Sequence, residues 1–223
     1  MKIVSYNISA CTQEKVDFLL SLKADAYIVP ELARNIKLSS DEYKMEYLGD
    51  IPSKGLGIIW REEMGEIPAW FKDDYKEMSY AIPLVCDDVL ILGFWPTSYK
   101  KQETYTKLAK EIIDKYKPNF QKYKQSIITG DFNLYHKENS PNKAADILEV
   151  HSILTDLGFH SVYHKLANEE PGFETRNTFF MQFKKDKPYF LDYTYSNLPV
   201  KNYYLIENPK EKFSDHIGQV IEI

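Results

Sequence analysis

Seven polar residues stand where apolar runs end, and their types suit one chemistry. Asn7 closes KIVSYN, Glu31 follows AYIVP, Asp131 and Asn133 follow SIITG, Asp192 sits inside YFLDYTYS, and Asp215 and His216 precede GQVIEI. At the ends of strands such side chains escape the core and can collect on one rim. Carboxylates, amides and a carboxylate–histidine pair form a set able to move a phosphoryl group with a hard divalent cation. Taken singly, each has a plainer reading: Asn7 as a turn former, Asp131 and Asn133 as an Asx-turn, Glu31 as a solvated charge. Taken jointly, the plain readings fail. Asp192, flanked by Leu191 and Tyr193 in a β pattern, needs a partner if buried, and His216 is a natural one.

The elements that would position these groups are mostly strands. Alternating or buried-strand patterns recur in KIVSYN, AYIVP, GLGIIW, MSYAIPLV, VLILGFW, QSIITG, NTFFMQF, YFLDYTYS, YYLIE and GQVIEI. Helices are expected over 13–22, over 101–117 with Pro118 as its stop, and over 143–157 with Gly158 as its breaker. Many short strands and three amphipathic helices predict two stacked sheets with helices covering the outer faces. Lys165 to Arg176 lacks periodicity and reads as an exposed loop.

Composition narrows the partners. With 223 residues and 26.1 kDa, one domain spanning 1–223 is expected. The 28 basic against 33 acidic residues give a charge of −5, which argues against binding nucleic acid by charge alone over a long footprint. Cys11 and Cys86 are too few for a disulfide framework or a cysteine zinc site. No apolar run approaches the ~20 residues of a membrane span, and residues 1–15 read as a strand start rather than a signal peptide, so a cytoplasmic location is expected. His151 shares an apolar stripe with Ile147 and Leu154 and reads as a core histidine; His136 and His160 read as surface residues. The tyrosines interleaved with lysines suggest single-strand stacking, but helical spacing buries Tyr105 and Tyr116. The run KKDK at 184–187 reads as a solvated hairpin turn, and nothing selects among Lys54, Arg176, Lys184 and Lys185 as phosphate-steering cations.

Five motifs in register, SYNI at 5–8, PEL at 30–32, GDFN at 130–133, LDYTYS at 191–196 and SDH at 214–216, resemble the endonuclease/exonuclease/phosphatase superfamily of DNase I-like proteins. HSILTDLGFHSVYH and GFETRNTFF look like a bacterial branch of it. The resemblance spans nearly the whole chain and implies a four-layer α/β/β/α sandwich of two mainly antiparallel sheets. It implies a Mg²⁺- or Mn²⁺-dependent phosphoesterase, foremost a phosphodiesterase acting on nucleic acid by in-line water attack. A phosphatase of a small metabolite or of an inositol or lipid phosphate, and a non-catalytic binding module, are the alternatives. No obligate protein partner is evident.

By that resemblance Glu31 is the principal metal ligand, Asn7 holds the ion's water or a phosphate oxygen, and Asp215 lies at the metal end. Asp131 orients or activates the attacking water, and Asn133 steadies it. His216 donates to a phosphate oxygen while Asp192 holds its imidazole, which predicts a raised histidine pKa. Many members carry a histidine or tyrosine where this chain has Phe94, Trp95 and Pro96. Trp95 keeps one N–H donor, and Tyr163 or His164 is expected to supply another from the loop opposite. Ser9 stands where some members have an acidic residue, which weakens the case for a second metal.

Overall fold

Thirteen strands stand among the described residues, two of them, over Tyr43–Ile51 and His160–Ser161, outside the predicted patterns. A computed structural model of the chain describes residues 1–71, 80–97, 104–136, 146–186 and 188–223. One six-stranded sheet has the order β12-β13-β1-β2-β4-β3. Its strands are β1 (Lys2–Ser5), β2 (Ala26–Leu32), β3 (Tyr43–Ile51), β4 (Lys54–Arg61), β12 (Asn202–Ile206) and β13 (Gly218–Glu222). The second sheet, in the order β5-β6-β7-β11-β8, holds β5 (Ala81–Cys86), β6 (Val89–Phe94), β7 (Gln125–Asp131), β8 (His160–Ser161) and β11 (Asp192–Ser196). Only β1 with β2 and β6 with β7 pair in parallel. A two-stranded ribbon joins β9 (Phe179–Phe180) to β10 (Pro188–Tyr189).

Alternation along each strand divides the apolar side chains into three layers. Ile3, Ile28, Ile58, Ile91 and Ile127 meet between the sheets. Their sequence neighbours Val4, Tyr27 and Ile59 face outward under α1 (Gln13–Ser21), beside Val16 and Leu19. On the other side Leu90, Leu92, Phe94 and Ile128 pack under α2 (Tyr105–Phe120) and α3 (Ile147–Asp156). The architecture is the expected α/β/β/α sandwich. No helix among the described residues is long and apolar enough to cross a membrane.

Three expectations need correction. Pro118 does not stop α2, which runs on to Phe120; a proline in the last turn forfeits one backbone bond without ending the packing of Phe120 against Phe159. NTFFMQF and YFLDYTYS are not continuous strands. The chain leaves the ladder after Tyr189 because Thr178 Oγ1 accepts from the amides of both Leu191 and Asp192 at 3.0 Å, bending the segment before β11 starts. A short helix, α4 (Val162–Ala167), runs into the start of the stretch read as loop. Of the predicted helix ends, 101–103 and 143–145, with Ala144, lie outside the described residues. Thr12 and Asp146 cap α1 and α3 by accepting from backbone amides, and Gly158, at φ 86°, follows the C-terminal end of α3.

Gly130 shows how closely the frame is drawn beneath the chemistry. A Cβ there would lie 1.9 Å from the carbonyl oxygen of Phe94 in the neighbouring strand, and Asp131 is the next residue. Gly130→Ala is expected to cost about 3 kcal/mol of stability in chemical denaturation; a variant as stable as the parent would contradict this account of the β6–β7 contact.

Candidate active site

The register of β7 and β11 creates the site's central problem. Asp131 and Asp192 are direct cross-strand partners, both almost wholly buried, and like charges so placed repel. The imidazole of His216 resolves it. Nδ1 donates to Asp192 Oδ2 at 2.9 Å, while Nε2 stands 3.9 Å from Asp131 Oδ2, too far for a direct hydrogen bond. Burial by itself pushes the His216 pKa down. The attraction of Asp192, then of Asp131, and the Asp192 hydrogen bond together win, holding it up at about 9. Burial pushes Asp131 up, to about 6, with Asp192 adding to the rise and the His216 charge opposing it. At neutral pH His216 is an imidazolium lying between the Asp131 and Asp192 side chains.

Asp131 is further fixed by donors. Asn7 Nδ2 donates to its Oδ2 at 2.9 Å and the Asn133 amide to its Oδ1 at 2.9 Å. Asn133 takes a left-handed backbone (φ 52°), which asparagine tolerates well, and its side chain donates to the Pro96 carbonyl at 3.0 Å. Asn7 Oδ1 accepts from the Ser9 amide at 3.0 Å, so both ends of the Asn7 amide are engaged. The loop bearing His216 is tied to the exit of β1, since Ser214 Oγ donates to the Asn7 carbonyl at 2.7 Å and accepts from the His216 amide at 3.1 Å.

Glu31 adjoins this group through the sheet. The Ile8 amide donates to the Pro30 carbonyl, and the bulge between Pro30 and Leu32 leaves Glu31 at φ 64°, re-aiming its side chain as bulges near functional sites do. Its carboxylate pairs with Lys54 Nζ at 3.0 Å, with side-chain exposures of 19% and 42%. Lys15 lies within electrostatic reach of both Glu31 and Asp215, while its ammonium donates to the carbonyls of Ile8 and Ser9.

The structure thus brings Asn7, Asp131, Asn133, Asp192 and His216 together, with Asp215 in electrostatic reach of His216 and Glu31 joined to them through the β1–β2 edge and through Lys15. It does not bring Tyr163 or His164 to the group. Strand alternation turns Tyr193 away from Asp192, and His164 stacks on Tyr193 on that outer face. His164 is bonded to Ser161 Oγ at 2.7 Å and to Glu174 Oε1 at 3.0 Å, and the Tyr163 hydroxyl donates to Glu169. Trp95 is only 2% exposed; it forms a platform under the Lys54 ammonium, 5.9 Å from the ring, not a rim. His151 is hydrogen-bonded as its stripe implied, meeting the Tyr195 hydroxyl at 3.0 Å, but is half-buried at the edge of the core. Sequence reasoning had no means of singling out Lys54, Lys15, Thr178 or Ser214, apart from the serine of SDH.

The donor set suits a hard cation at Glu31. Its oxygens already attract an ammonium, and a site with few carboxylates that leaves room for water and substrate oxygens is the usual magnesium arrangement. Asp131, Asp192 and His216 also offer ligand atoms within 4.8 Å of one another. The proton that His216 retains to high pH makes that cluster a poorer metal site.

No protein-family model and no curated protein sequence matches the chain. Solved structures do match along its full length. An AP endonuclease from Archaeoglobus fulgidus is 18% identical, with a TM-score of 0.73, covering 99% of this chain and 98% of that one. A 3′ phosphatase from Neisseria, NExo, bound to a product DNA hairpin, is 16% identical with a TM-score of 0.74, covering 100% and 99%. D. rerio TDP2 complexed with a single-strand DNA product is 16% identical with a TM-score of 0.63, covering 99% and 97%. The chain therefore has the same DNase I-like fold as these structures.

The electrostatics can be measured directly. In metal-free protein the His216 ring protons should titrate near pH 9 by NMR. Asp192→Asn removes the strongest attraction raising that value, so the titration should move down toward the ordinary histidine pKa of about 6.5. An unmoved titration would show that Asp192 does not hold the imidazolium.

Proposed function

We propose that the protein is a divalent-metal-dependent phosphoesterase, foremost a phosphodiesterase that hydrolyses nucleic acid. The observation that carries this reading is a pair of hydrogen-bonded groups, Asn7–Asp131 and His216–Asp192, that present a carboxylate and an imidazole to one another across 3.9 Å. The likeness to DNA-processing phosphoesterases supports it.

Asp131, ionised at neutral pH and steadied by Asn7 and Asn133, accepts a proton from the attacking water. The water oxygen forms a bond to phosphorus as the P–O bond to the leaving oxygen breaks in line with it. His216 Nε2 donates to a non-bridging oxygen that gains charge, and the Asp192 carboxylate keeps Nδ1 protonated and the ring oriented. Glu31, with Asn7 and Asp215 near it, would hold Mg²⁺ or Mn²⁺. The cation, when bound, supplies charge stabilisation to the phosphoryl oxygens. Most of the acceleration then comes from positioning and fixed charge.

Glu31→Gln is nearly isosteric and half-buried, and is expected to lower hydrolysis of an oligonucleotide by about 100-fold or more with little change in melting temperature. His216→Gln should cost at least as much in rate. Full turnover by either variant in limiting Mg²⁺ would remove that residue from the mechanism. Plasmid DNA, a single strand and a soluble phosphomonoester, each with a chelator control, distinguish a nuclease from a metabolite phosphatase.

Lys54 competes with the cation for Glu31. A half-exposed ion pair is worth up to about 1 kcal/mol, so Lys54→Met should tighten Mn²⁺ binding roughly fivefold in calorimetry. Unchanged or weaker binding would mean that Lys54 supports the ligand instead of opposing the ion.

A further inference from the structure

Beside the catalytic loop lies a cavity of about 580 Å³, a size suited to a small organic group. One wall is the β9–β10 ribbon, contributing Phe180, Phe183 and Lys185; the other is the segment 207–215, contributing Asn208, Lys212 and Asp215.

Three observations set it apart from a casual crevice. The aromatic wall is held by costly backbone: Gln182 and Phe183 are consecutive non-glycine residues in the left-handed region (φ 54° and 62°), a conformation that tends to mark functional segments. It leaves the Phe183 ring 41% exposed. The ribbon is also clamped to the catalytic histidine. The Phe180 amide donates to the Asp215 carbonyl and the Ile217 amide to the Thr178 carbonyl, each at 2.7 Å. Alternation along β9 puts the Phe179 ring against the His216 imidazole, 4.6 Å between centroids, and Phe180 on the cavity side.

Charge supplies the third. Glu207 pairs with Arg176 at 2.7 Å and Lys210 with Glu14 at 2.5 Å. The other charges of the wall, Lys185 and Lys212 against Glu211 and Asp215, cancel. Such walls suit a flat, neutral, polar-edged group better than a phosphate.

We infer that this cavity is a nucleobase subsite. The base of a nucleotide adjoining the scissile phosphate lies against Phe183 and Phe180, with its own phosphate outside the cavity mouth. The inference rests on the phosphodiesterase reading and sharpens its substrate class. A base can enter only after leaving its stack, so the cavity favours single-stranded or frayed nucleotides over intact duplex.

The test compares Phe183→Ala and Phe183→Trp with the parent protein under Mn²⁺, on a single-stranded oligonucleotide, the same sequence as a duplex, and bis(p-nitrophenyl) phosphate, which carries no base. In the parent, kcat/KM should be higher for the single strand than for the duplex. For Phe183→Ala the ratio of kcat/KM on the single strand to that on the small diester should fall about tenfold, through KM, and Phe183→Trp should restore it. Fluorescence of 2-aminopurine in a bound single strand, followed in Ca²⁺, should be quenched by the parent and by Phe183→Trp but not by Phe183→Ala. An unchanged ratio, a duplex preference, or equal quenching by Phe183→Ala would overturn the subsite. If the parent hydrolysed none of the three, the phosphodiesterase reading would fall, and the quenching experiment would still decide whether the cavity takes a base.

Discussion

Two carboxylates and one imidazole share a buried space at the ends of β7, β11 and β13, and the remaining features of the site follow from that crowding. Cross-strand pairing forces Asp131 beside Asp192. In a low-dielectric interior their repulsion would raise at least one pKa far above the ordinary carboxylate range. A proton kept on His216 removes most of that penalty, and the donors from Asn7 and Asn133 remove more. Cations also collect nearby, where Lys54 and Lys15 gather at Glu31.

Position comes from small departures from regular structure rather than from flexible loops. A bulge aims Glu31, a left-handed asparagine returns an amide to Asp131, and a glycine without a side chain lets β6 and β7 close beneath it. Further in, Thr129 and Thr194 meet at 2.8 Å, and Thr194 and Tyr203 both donate to Gln219 Oε1. These bonds tie the two sheets together below the site and give the buried hydroxyls partners that an apolar interior would deny them. Asp131 and Asp192 sit at strand ends, and hydrogen bonds from Asn7, Asn133 and Ser214 fix the segments beyond them.

Much of this was legible in the chain. Period-2 alternation located most strands, and the amphipathic stripes located α1 to α3, because burial on one face leaves a regular trace in residue type. The partnership of Asp192 with His216 could be inferred from a carboxylate in an apolar strand that needed a partner. What escaped was set by tertiary contact. Tyr163 and His164 have the right functional groups, yet a short helix turns them to the outer face of β11, and nothing local encodes which face a two-residue strand such as β8 presents. Trp95 was expected at the rim but lies in the inter-sheet core. Lys54 was one of four undistinguished cations until the β2–β4 pairing placed it opposite Glu31.

Among the described residues the β9–β10 ribbon bonds to the loop of His216 through its base, at Thr178, Phe179 and Phe180, while residues 181 to 186 at its tip keep exposed side chains. The tip can therefore change in length or composition without disturbing the packing of Phe179 on the imidazole.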